Sequence, residues 1–297
     1  MDNRDEVKAF LSSRRARITP ERAGLTGYNR NRRVPGLRRS EVADLAGVSV
    51  EYYAQLERGN LAGASDSVLD ALARALQLDE AEQRHLADLA RAAGPATRAR
   101  RKPPAPQIRP GVARLLELMT EIPAFVTNSR GDVPAANPLA QALYAPMFDG
   151  PASPANHARF AFLDPRARDF WRDWDRIATD TVAMLRTEAG RDPYDKALTD
   201  LVGELSTRSE DFRTRWAAHD VRLHRTGVKQ FRHPVVGDLD LSYESMDLTA
   251  DPGLTLTLLS APAGTADDDA LRLLSSWAAT GRPDVTAPRS RDRKSVV

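Results

Sequence analysis

Residues 37–60 carry the spacing of two short helices joined by a tight turn. A helix that begins at Arg39 is predicted to end at Gly47, because glycine readily takes the left-handed backbone conformation that a sharp turn needs. Ser49 then has the position and side chain of an N-cap for a second helix, which runs to Arg58. This is the spacing of a helix-turn-helix, whose second helix enters the major groove of DNA.

The two predicted helices have a shared set of apolar residues, which we expect to form the core where they cross. These residues are Val42, Leu45, Ala46, Val48, Tyr53 and Leu56. A helical hairpin that binds no nucleic acid is the alternative interpretation of the same pattern.

A basic segment precedes the motif. Residues 30–39 contain five arginines, including Arg32 and Arg33, which we expect to follow DNA phosphates or to enter a minor groove. The first 110 residues carry 20 Lys and Arg against 14 Asp and Glu, whereas the chain as a whole has a net charge of only +2. This asymmetry indicates a polyanionic partner for the N-terminal part. A solvated basic loop is the alternative.

The motif resembles the XRE-type, lambda-repressor-like DNA-binding domains, through the Ala-Gly-Val-Ser turn at 46–49 and the Gln-Leu-Glu-Arg-Gly run at 55–59. The resemblance implies that the groove-facing side chains are the second helix's cap and the residues that follow it. On this chain these are Ser49, Val50, Glu51, Tyr52 and Gln55. Gln pairs with adenine, Glu accepts from cytosine, and Val contacts the thymine methyl group.

The same resemblance assigns backbone contacts to arginines. Arg39 matches the family position at a helix start that holds a phosphate, and Arg58 lies at the far end of the recognition helix. Arg38 stands at the first-helix cap, where Ser or Thr is usual. We expect this to weaken the cap by about 1 kcal/mol while adding a cation near the DNA backbone.

Length and composition place the motif in a larger protein. A chain of 297 residues predicts about two domains. Cysteine is absent, so disulfides, thiolate nucleophiles and Cys-based zinc sites are excluded. No apolar run is long enough for a membrane helix and no signal sequence opens the chain, so we expect a cytoplasmic protein without membrane contact.

The chain divides at a proline-rich, basic segment, residues 96–110, whose composition is typical of an extended linker. Residues 1–95 predict an all-α bundle of about five helices. Residues 111–275 predict an α+β domain: a hairpin over 122–137, helical segments over 138–144, 165–189 and 193–218, and three strands over 222–232, 238–247 and 254–260. We expect helices on one face of an antiparallel sheet and a disordered tail over 276–297.

The whole arrangement resembles the MmyB-like transcription regulators. The resemblance rests on runs in the same order along the chain, at 35–39, 49–56, 68–76, 162–165, 201–206, 216–221 and 233–237. It implies a PAS-like C-terminal domain that binds an apolar, fatty-acid-like ligand. Where the family usually has Asp-Val-Leu-Ala-Trp-Asn, this chain has Asp-Val-Pro-Ala-Ala-Asn at 132–137. Pro134 is expected to disturb a central strand, and ligand identity is not carried over.

Within such a domain, a cavity between sheet and helices is expected to be lined by apolar side chains with a few polar groups. The candidates for its polar end are His219, Arg222 and His233, and those for its wall are Phe125, Trp216, Phe231 and Tyr243. Each has plain core packing as its alternative. Trp171 and Trp174 are expected to be packing residues or an exposed dimer interface.

The function predicted from these observations is regulation of transcription by a homodimer that binds double-stranded DNA and responds to a small apolar ligand. No cofactor or metal is implied, and no catalytic motif is present, so we expect no enzymatic activity. The alternatives are a DNA-binding module fused to a catalytic domain, or to one that only dimerises.

Overall fold

The computed structural model describes residues 3–25, 34, 36–94, 108–152, 154–218 and 225–280. Four of the predicted site residues, Arg32, Arg33, His219 and Arg222, lie outside the described residues. So do most of the predicted linker and the tail beyond Thr280. Among the described residues, no helix is both long and apolar enough to cross a membrane.

The described residues of the N-terminal part, 3–25, 34 and 36–94, form a bundle of five helices, which confirms the prediction. They are α1 (Asn3–Arg17), α2 (Arg39–Ala46), α3 (Val50–Glu57), α4 (Asp66–Ala75) and α5 (Glu80–Ala92). Helices this short are unstable singly, so the bundle depends on a shared core. Phe10 and Leu72 lie fully buried in that core, as do Val42 and Tyr53 of the helix-turn-helix. Leu45 is an exception to the prediction, because it is 39% exposed on the outer side of α2.

The C-terminal part is an α+β domain built on one five-stranded antiparallel sheet, as predicted. Its elements are α6 (Pro110–Leu118), β1 (Ala124–Asn128), β2 (Ala135–Ala136), α7 (Pro138–Leu143), α8 (Ala145–Phe148), α9 (His157–Leu163), α10 (Ala167–Phe170), α11 (Trp174–Arg191), α12 (Lys196–Arg208), α13 (Glu210–Ala217), β3 (Thr226–His233), β4 (Gly237–Asp247), β5 (Leu254–Ser260) and α14 (Ala266–Thr280). The strands lie in the order β2-β1-β5-β4-β3.

The helical segments differ in detail from the prediction. The segment over 193–218 is two helices, because Ser209 caps a new one by accepting from the Phe212 N–H at 3.2 Å. Helix α6 begins at Pro110, within the predicted linker, and α14 extends to Thr280, past the predicted start of the tail. Helices α6, α8, α9 and α14 were not predicted.

Helices cover both faces of the sheet, which corrects the expectation of one covered face. The larger core lies between the sheet and helices α7 to α11, with Phe231, Leu239 and Leu241 at its centre. On the opposite face, Val112 and Leu116 of α6 pack with apolar residues of β1 and β5. Pro134 does not interrupt a central strand, because β2 is a two-residue strand at the sheet edge that starts directly after it.

Candidate nucleic-acid interface and ligand cleft

The turn between α2 and α3 has the predicted geometry. Gly47 takes a left-handed conformation with φ of 65°, and the Ser49 hydroxyl caps α3 by accepting from the Tyr52 N–H at 3.1 Å. Gly59 ends the motif with φ of 97°, and a Cβ there would overlap the backbone of Arg4. The end of α3 is therefore fixed against α1 by a residue that must be glycine.

The predicted groove-facing residues lie on the outer side of α3. Ser49, Val50, Glu51 and Gln55 are exposed, whereas Tyr52 is half-buried against the bundle core. Arg58, the C-cap residue, is also exposed. The side of α3 that faces away from the core thus presents a hydroxyl, a carboxylate, an amide and an isopropyl group to a neighbouring surface.

The arginine at the start of α2 is held by a buried carboxylate. Glu57, which is 2% exposed, accepts a hydrogen bond from Arg15 at 2.7 Å and another from Arg39. The hydrogen bond and charge of Glu57 raise the pKa of the Arg39 guanidinium. The Arg39 side chain nevertheless stays 56% exposed, so it is a fixed cation beside the helix-turn-helix.

Arg38 caps α2 without a hydroxyl. Its backbone N–H donates to the Glu41 carboxylate at 2.7 Å. This is one of the two hydrogen bonds of a capping box, and it requires no Ser or Thr side chain. Glu41 therefore partly replaces the cap that a Ser or Thr side chain would provide, and the Arg38 side chain is half-buried.

A cleft opens between the sheet and α11. Its enclosed volume is about 50 Å³, or about 500 Å³ when the open space at its mouth is included. It is lined by Phe125, Thr127, Gly131, His157, Ile177, Asp180, Thr181, Met184, Lys229 and Thr257. The residues that α11 contributes lie at positions i, i+3, i+4 and i+7, counted from Ile177, so they lie on one face of that helix.

Two polar groups in this cleft have strongly altered acidity. Burial lowers the pKa of Lys229 to about 8, partly opposed by the charge of Asp180. Burial, together with the charge of Lys229, lowers the pKa of His157 to about 3, so its imidazole is neutral at ordinary pH. The His157 Nδ1 lies 3.5 Å from the Thr181 hydroxyl.

Of the predicted ligand-binding residues within the described chain, only Phe125 lines this cleft. Phe231 is fully buried and packs at the edges of Tyr144 and Phe170. Tyr243 is 3% exposed and lies behind Lys229, whose Nζ is 5.0 Å from the Tyr243 ring centre. Both are therefore packed in the core beside the cleft and do not line it, and their predicted role in ligand binding stays a prediction.

His233 and Trp216 also lie away from the cleft. His233 is buried at the end of β3, where its Nε2 is 3.1 Å from the Ala142 carbonyl oxygen and its Nδ1 accepts from the next turn. Its ring thus closes the turn between β3 and β4. Trp216 stacks on Phe212 with ring centres 5.5 Å apart, at the far side of α11. Neither residue lines this cleft, and their predicted contact with a ligand stays a prediction.

Trp171 and Trp174 are buried, which overturns the expectation of an exposed aromatic interface. Trp171 is 1% exposed and Trp174 is 7% exposed. The Trp174 indole donates to the Ala161 carbonyl at 2.9 Å, and its ring stacks with the guanidinium of Arg168. Their spacing on a charged segment reflects packing between α9, α10 and α11.

The two domains meet along the second half of α11. Arg186, fully buried, donates to the Glu6 carboxylate of α1 and to the Trp216 carbonyl, and its guanidinium lies 4.0 Å from the centre of the Trp216 ring. The His85 ring of α5 packs directly on Gly190, where an added Cβ would overlap it. Helix α11 therefore lines the cleft with residues between 177 and 184 and contacts the DNA-binding bundle with residues between 186 and 190.

Of the two polar cleft residues that the sequence analysis missed, Lys229 carried a local signal. In β3, residues 229, 231 and 233 are buried while Val228 and Arg232 are exposed. This alternation places Lys229 on the same inner face as Phe231, a position where a charge is unusual. His157 carried no comparable signal, because α9 itself was not predicted.

Comparison with known proteins gives two family matches. The model described as the MmyB-like transcription regulator ligand binding domain matches residues 108–274, more than half of the chain. A model described as a helix-turn-helix domain matches residues 13–86, which include α2 and α3. A comparison with curated proteins finds no match.

Proposed function

The chain belongs to the MmyB-like transcription regulators, and we propose that it is a sequence-specific DNA-binding regulator controlled by a small apolar ligand. The helix-turn-helix together with the ligand-binding domain indicates a DNA-binding transcription regulator. Sequence specificity, the XRE-type docking mode and the nature of the ligand are the finer parts of the proposal. We propose residues 96–110 as the boundary between the domains; the two matched ranges, 13–86 and 108–274, leave residues 87–107 between them.

Reading of bases is assigned to the outer side of α3. Gln55 pairs with adenine, Glu51 accepts from the cytosine amino group, and Val50 meets a thymine methyl group, with Ser49 and Tyr52 beside them. Their exposure on a helix whose other side is buried supports this assignment.

Affinity for the DNA backbone is assigned to arginines. Arg39 is fixed by Glu57 yet more than half exposed, which suits a phosphate contact. Arg38 and Arg58 flank the same motif, and Arg32 and Arg33 retain the role proposed from the sequence. Such contacts supply binding that is largely independent of base sequence and weakens with salt.

One observation supports control by a ligand: α11 both lines the cleft and contacts the DNA-binding bundle. Ile177 and Met184 line the cleft, and Arg186 and Gly190 of the same helix touch α1 and α5. A ligand shifts DNA affinity only if it binds two arrangements of the protein differently. A shift of α11 on ligand binding would change the contact with the DNA-binding bundle and so meet that condition.

The cleft suits an apolar ligand in a PAS-like domain. It lies between an antiparallel sheet and a helix, and its wall includes Phe125, Ile177 and Met184. Ligand sites of this kind are mostly apolar, with few polar groups that fix orientation. The antiparallel sheet with a helix-covered core supports the PAS-like description.

We propose that the regulator acts as a homodimer. One recognition helix contacts too few base pairs to select a single site in a genome. A two-fold dimer contacts two half-sites and so recognises a longer sequence. The proposed surface is formed by α6 and α14, where Leu118, Leu273 and Trp277 are 60%, 59% and 48% exposed. The two regions meet where Ser275 donates to the Thr120 carbonyl at 3.1 Å. Sedimentation of Leu118→Asp should show a monomer where the parent is a dimer, and a monomeric parent would refute the proposal.

Native mass spectrometry of the full chain purified from its own host tests the proposed function. A retained, unaltered small molecule is the expected result. Turnover of the bound molecule would indicate a catalytic domain instead. A dimer without any retained molecule, whose DNA affinity no added metabolite changes, would indicate a domain that only dimerises.

A further inference from the structure

Lys229 occupies an unusual place in the sheet. It is 4% exposed, whereas its neighbour Val228 is 43% exposed, so the strand turns its amine inward and its apolar side chain outward. Opposite Lys229 in the register is Leu241 of β4, which is fully buried. Burying an unpaired charge is costly, so a lysine in this position favours the uncharged amine more than a surface lysine does.

Within the described part of the chain, aromatic rings surround Lys229 and no carboxylate lies at ion-pair distance from it. Its Nζ is 5.0 Å from the centre of the Tyr243 ring and 5.8 Å from that of Trp171, in the core beside the cleft. Asp180 and Arg176 of α11 act on it only through charge, in opposite directions. Burial therefore decides the ionisation of this amine, and it lowers the pKa from the ordinary 10.5 to about 8.

Lys196 of α12 has the opposite environment. Its side chain is 81% exposed, and its Nζ donates to the Asp200 carboxylate at 2.6 Å. At about pH 7, roughly one Lys229 side chain in ten carries the uncharged amine, against fewer than about one in a thousand for an ordinary lysine. Only the uncharged amine has the lone pair that attacks an electrophile, so Lys229 is the more reactive of the two.

The amine of Lys229 can be reached by a small molecule. Lys229 lines the cleft between the sheet and α11, and the apolar side chains of Phe125 and Ile177 line it as well. A lysine desolvated in an apolar site is the usual nucleophile for a carbonyl compound. The cleft thus combines an uncharged amine with room for a small electrophile.

We propose that Lys229 is a reversible covalent site for aldehydes, which enter the cleft and form an imine with its Nζ. The nitrogen lone pair attacks the carbonyl carbon, a C–N bond forms, and one amine proton moves to the former carbonyl oxygen. The C–O bond then breaks, the hydroxyl group leaves with the second amine proton as water, and the nitrogen lone pair completes the C=N bond. Neither an oxidant nor a reductant is consumed.

The rest of the cleft suits this step. The hydroxyl groups of Thr127, Thr181 and Thr257 line it and can donate to the carbonyl oxygen or hydrogen-bond with the water that leaves. Addition of water reverses the reaction, so an aldehyde would act as a signal that can be withdrawn. This inference rests on the proposed function, since it requires that the cleft admit a small molecule, and it adds a reactive ligand class and a covalent step to it.

The test is reductive labelling of the full chain with butanal and cyanoborohydride at about pH 7, followed by mass spectrometry of the peptides. The reductant converts an imine into a stable alkylamine, so each label marks the lysine that formed one. Lys229 should be labelled about tenfold or more faster than Lys196, because more of its amine is uncharged. Lys229→Met should lose this label alone, and Lys196→Met should leave the labelling of Lys229 unchanged.

A pH profile of the labelling separates a reactive amine from a merely structural one. The rate at Lys229 should level off above about pH 8, whereas that at Lys196 should still rise beyond about pH 10. The groups that face Lys229 are Asp180 and Arg176 of α11, Tyr243 of β4 and His157 of α9. The charge of Asp180 raises the pKa of Lys229, so Asp180→Asn should move the profile to lower pH.

Calorimetric titration of the same preparation with decanoate, a fatty-acid-like probe, tests the proposed function separately. Decanoate binding without preferred labelling of Lys229 would refute the imine and leave an apolar ligand site standing. Preferred labelling without decanoate binding would support the aldehyde site and count against a fatty-acid-like ligand. Equal labelling of Lys229 and Lys196 in the parent would refute the covalent site. If Lys229→Met fails to fold, the peptide map and pH profile of the parent decide.

Discussion

Arg186 of α11 donates a hydrogen bond to the carboxylate of Glu6 in α1, and this ion pair joins the two domains inside the protein. The Arg186 side chain is fully buried and that of Glu6 is 5% exposed. His85 of α5 lies 3.8 Å from the same carboxylate. Buried pairs of this kind contribute little net stability, yet removal of one partner is costly because the other charge is left uncompensated.

Removal of Glu6 should therefore destabilise the chain strongly. We expect Glu6→Ala to lower the free energy of unfolding by about 3–5 kcal/mol, measured by urea denaturation. The control is Glu204→Ala, which removes a more exposed partner of the arginines Arg159 and Arg208 and should cost at most about 1 kcal/mol. Equal effects of the two substitutions would show that the domains do not depend on this contact.

Gly190 gives a second test of the domain contact that involves no charge. An added methyl group at this position would overlap the His85 ring, so Gly190→Ala should push α5 away from α11 and lower the melting temperature. Gly203 of α12 has open space around its Cβ position, and Gly203→Ala should stabilise its helix by up to about 1 kcal/mol. Thermal melts in which both variants are equally stabilised would contradict the packing described.

The helix-turn-helix could be predicted almost to the residue because its signals are local. Gly47 and Ser49 fix the turn and the cap through their own backbone and side-chain preferences. The ligand cleft could not be predicted in this way, since it depends on which strands pair and which helix crosses them. Trp216 illustrates the difference: its size suggested a cavity wall, but the packing of α13 sets it against Arg186.

Gln55 should carry base specificity. We expect Gln55→Ala to reduce the binding free energy by about 1–3 kcal/mol at one base position, because the amide can pair with adenine in the major groove. The preference for one base at that position should weaken accordingly. Arg39→Ala should instead weaken binding to all DNA sequences alike and make the affinity depend less on salt concentration. The measurement is selection of binding sites from random duplexes, followed by affinity titration at two salt concentrations. An unchanged site preference in Gln55→Ala would refute the assignment of the groove-facing side.

Ionisation of the Glu188 carboxyl should make the stability of the folded protein depend on pH. Burial raises its pKa from the ordinary 4.5 to about 7, assisted by the charges of Asp247, Asp88 and Asp192 and opposed by Arg191. A raised acid pKa means that the folded state resists ionisation, so stability is lost as the pH rises from about 4.5 to about 7. Glu188→Gln should therefore raise the melting temperature relative to the parent at about pH 8 and change it little at about pH 4.

The matched control for this prediction is Glu117→Gln, at an exposed carboxylate of α6. Its melting temperature should follow that of the parent at both pH values. A stabilising effect of Glu188→Gln that is equally large in acid would show that ionisation of this side chain is not the cause.

Occupancy of the cleft should change the affinity of the protein for DNA. The most direct test is the affinity for a selected duplex with and without saturating decanoate. The full chain should be used, with decanoate binding verified by calorimetry on the same preparation. A coupling of about 1–3 kcal/mol predicts a change in dissociation constant of roughly 5- to 150-fold. Identical affinities in the presence of bound decanoate would contradict the account and leave a DNA-binding protein that this ligand does not control.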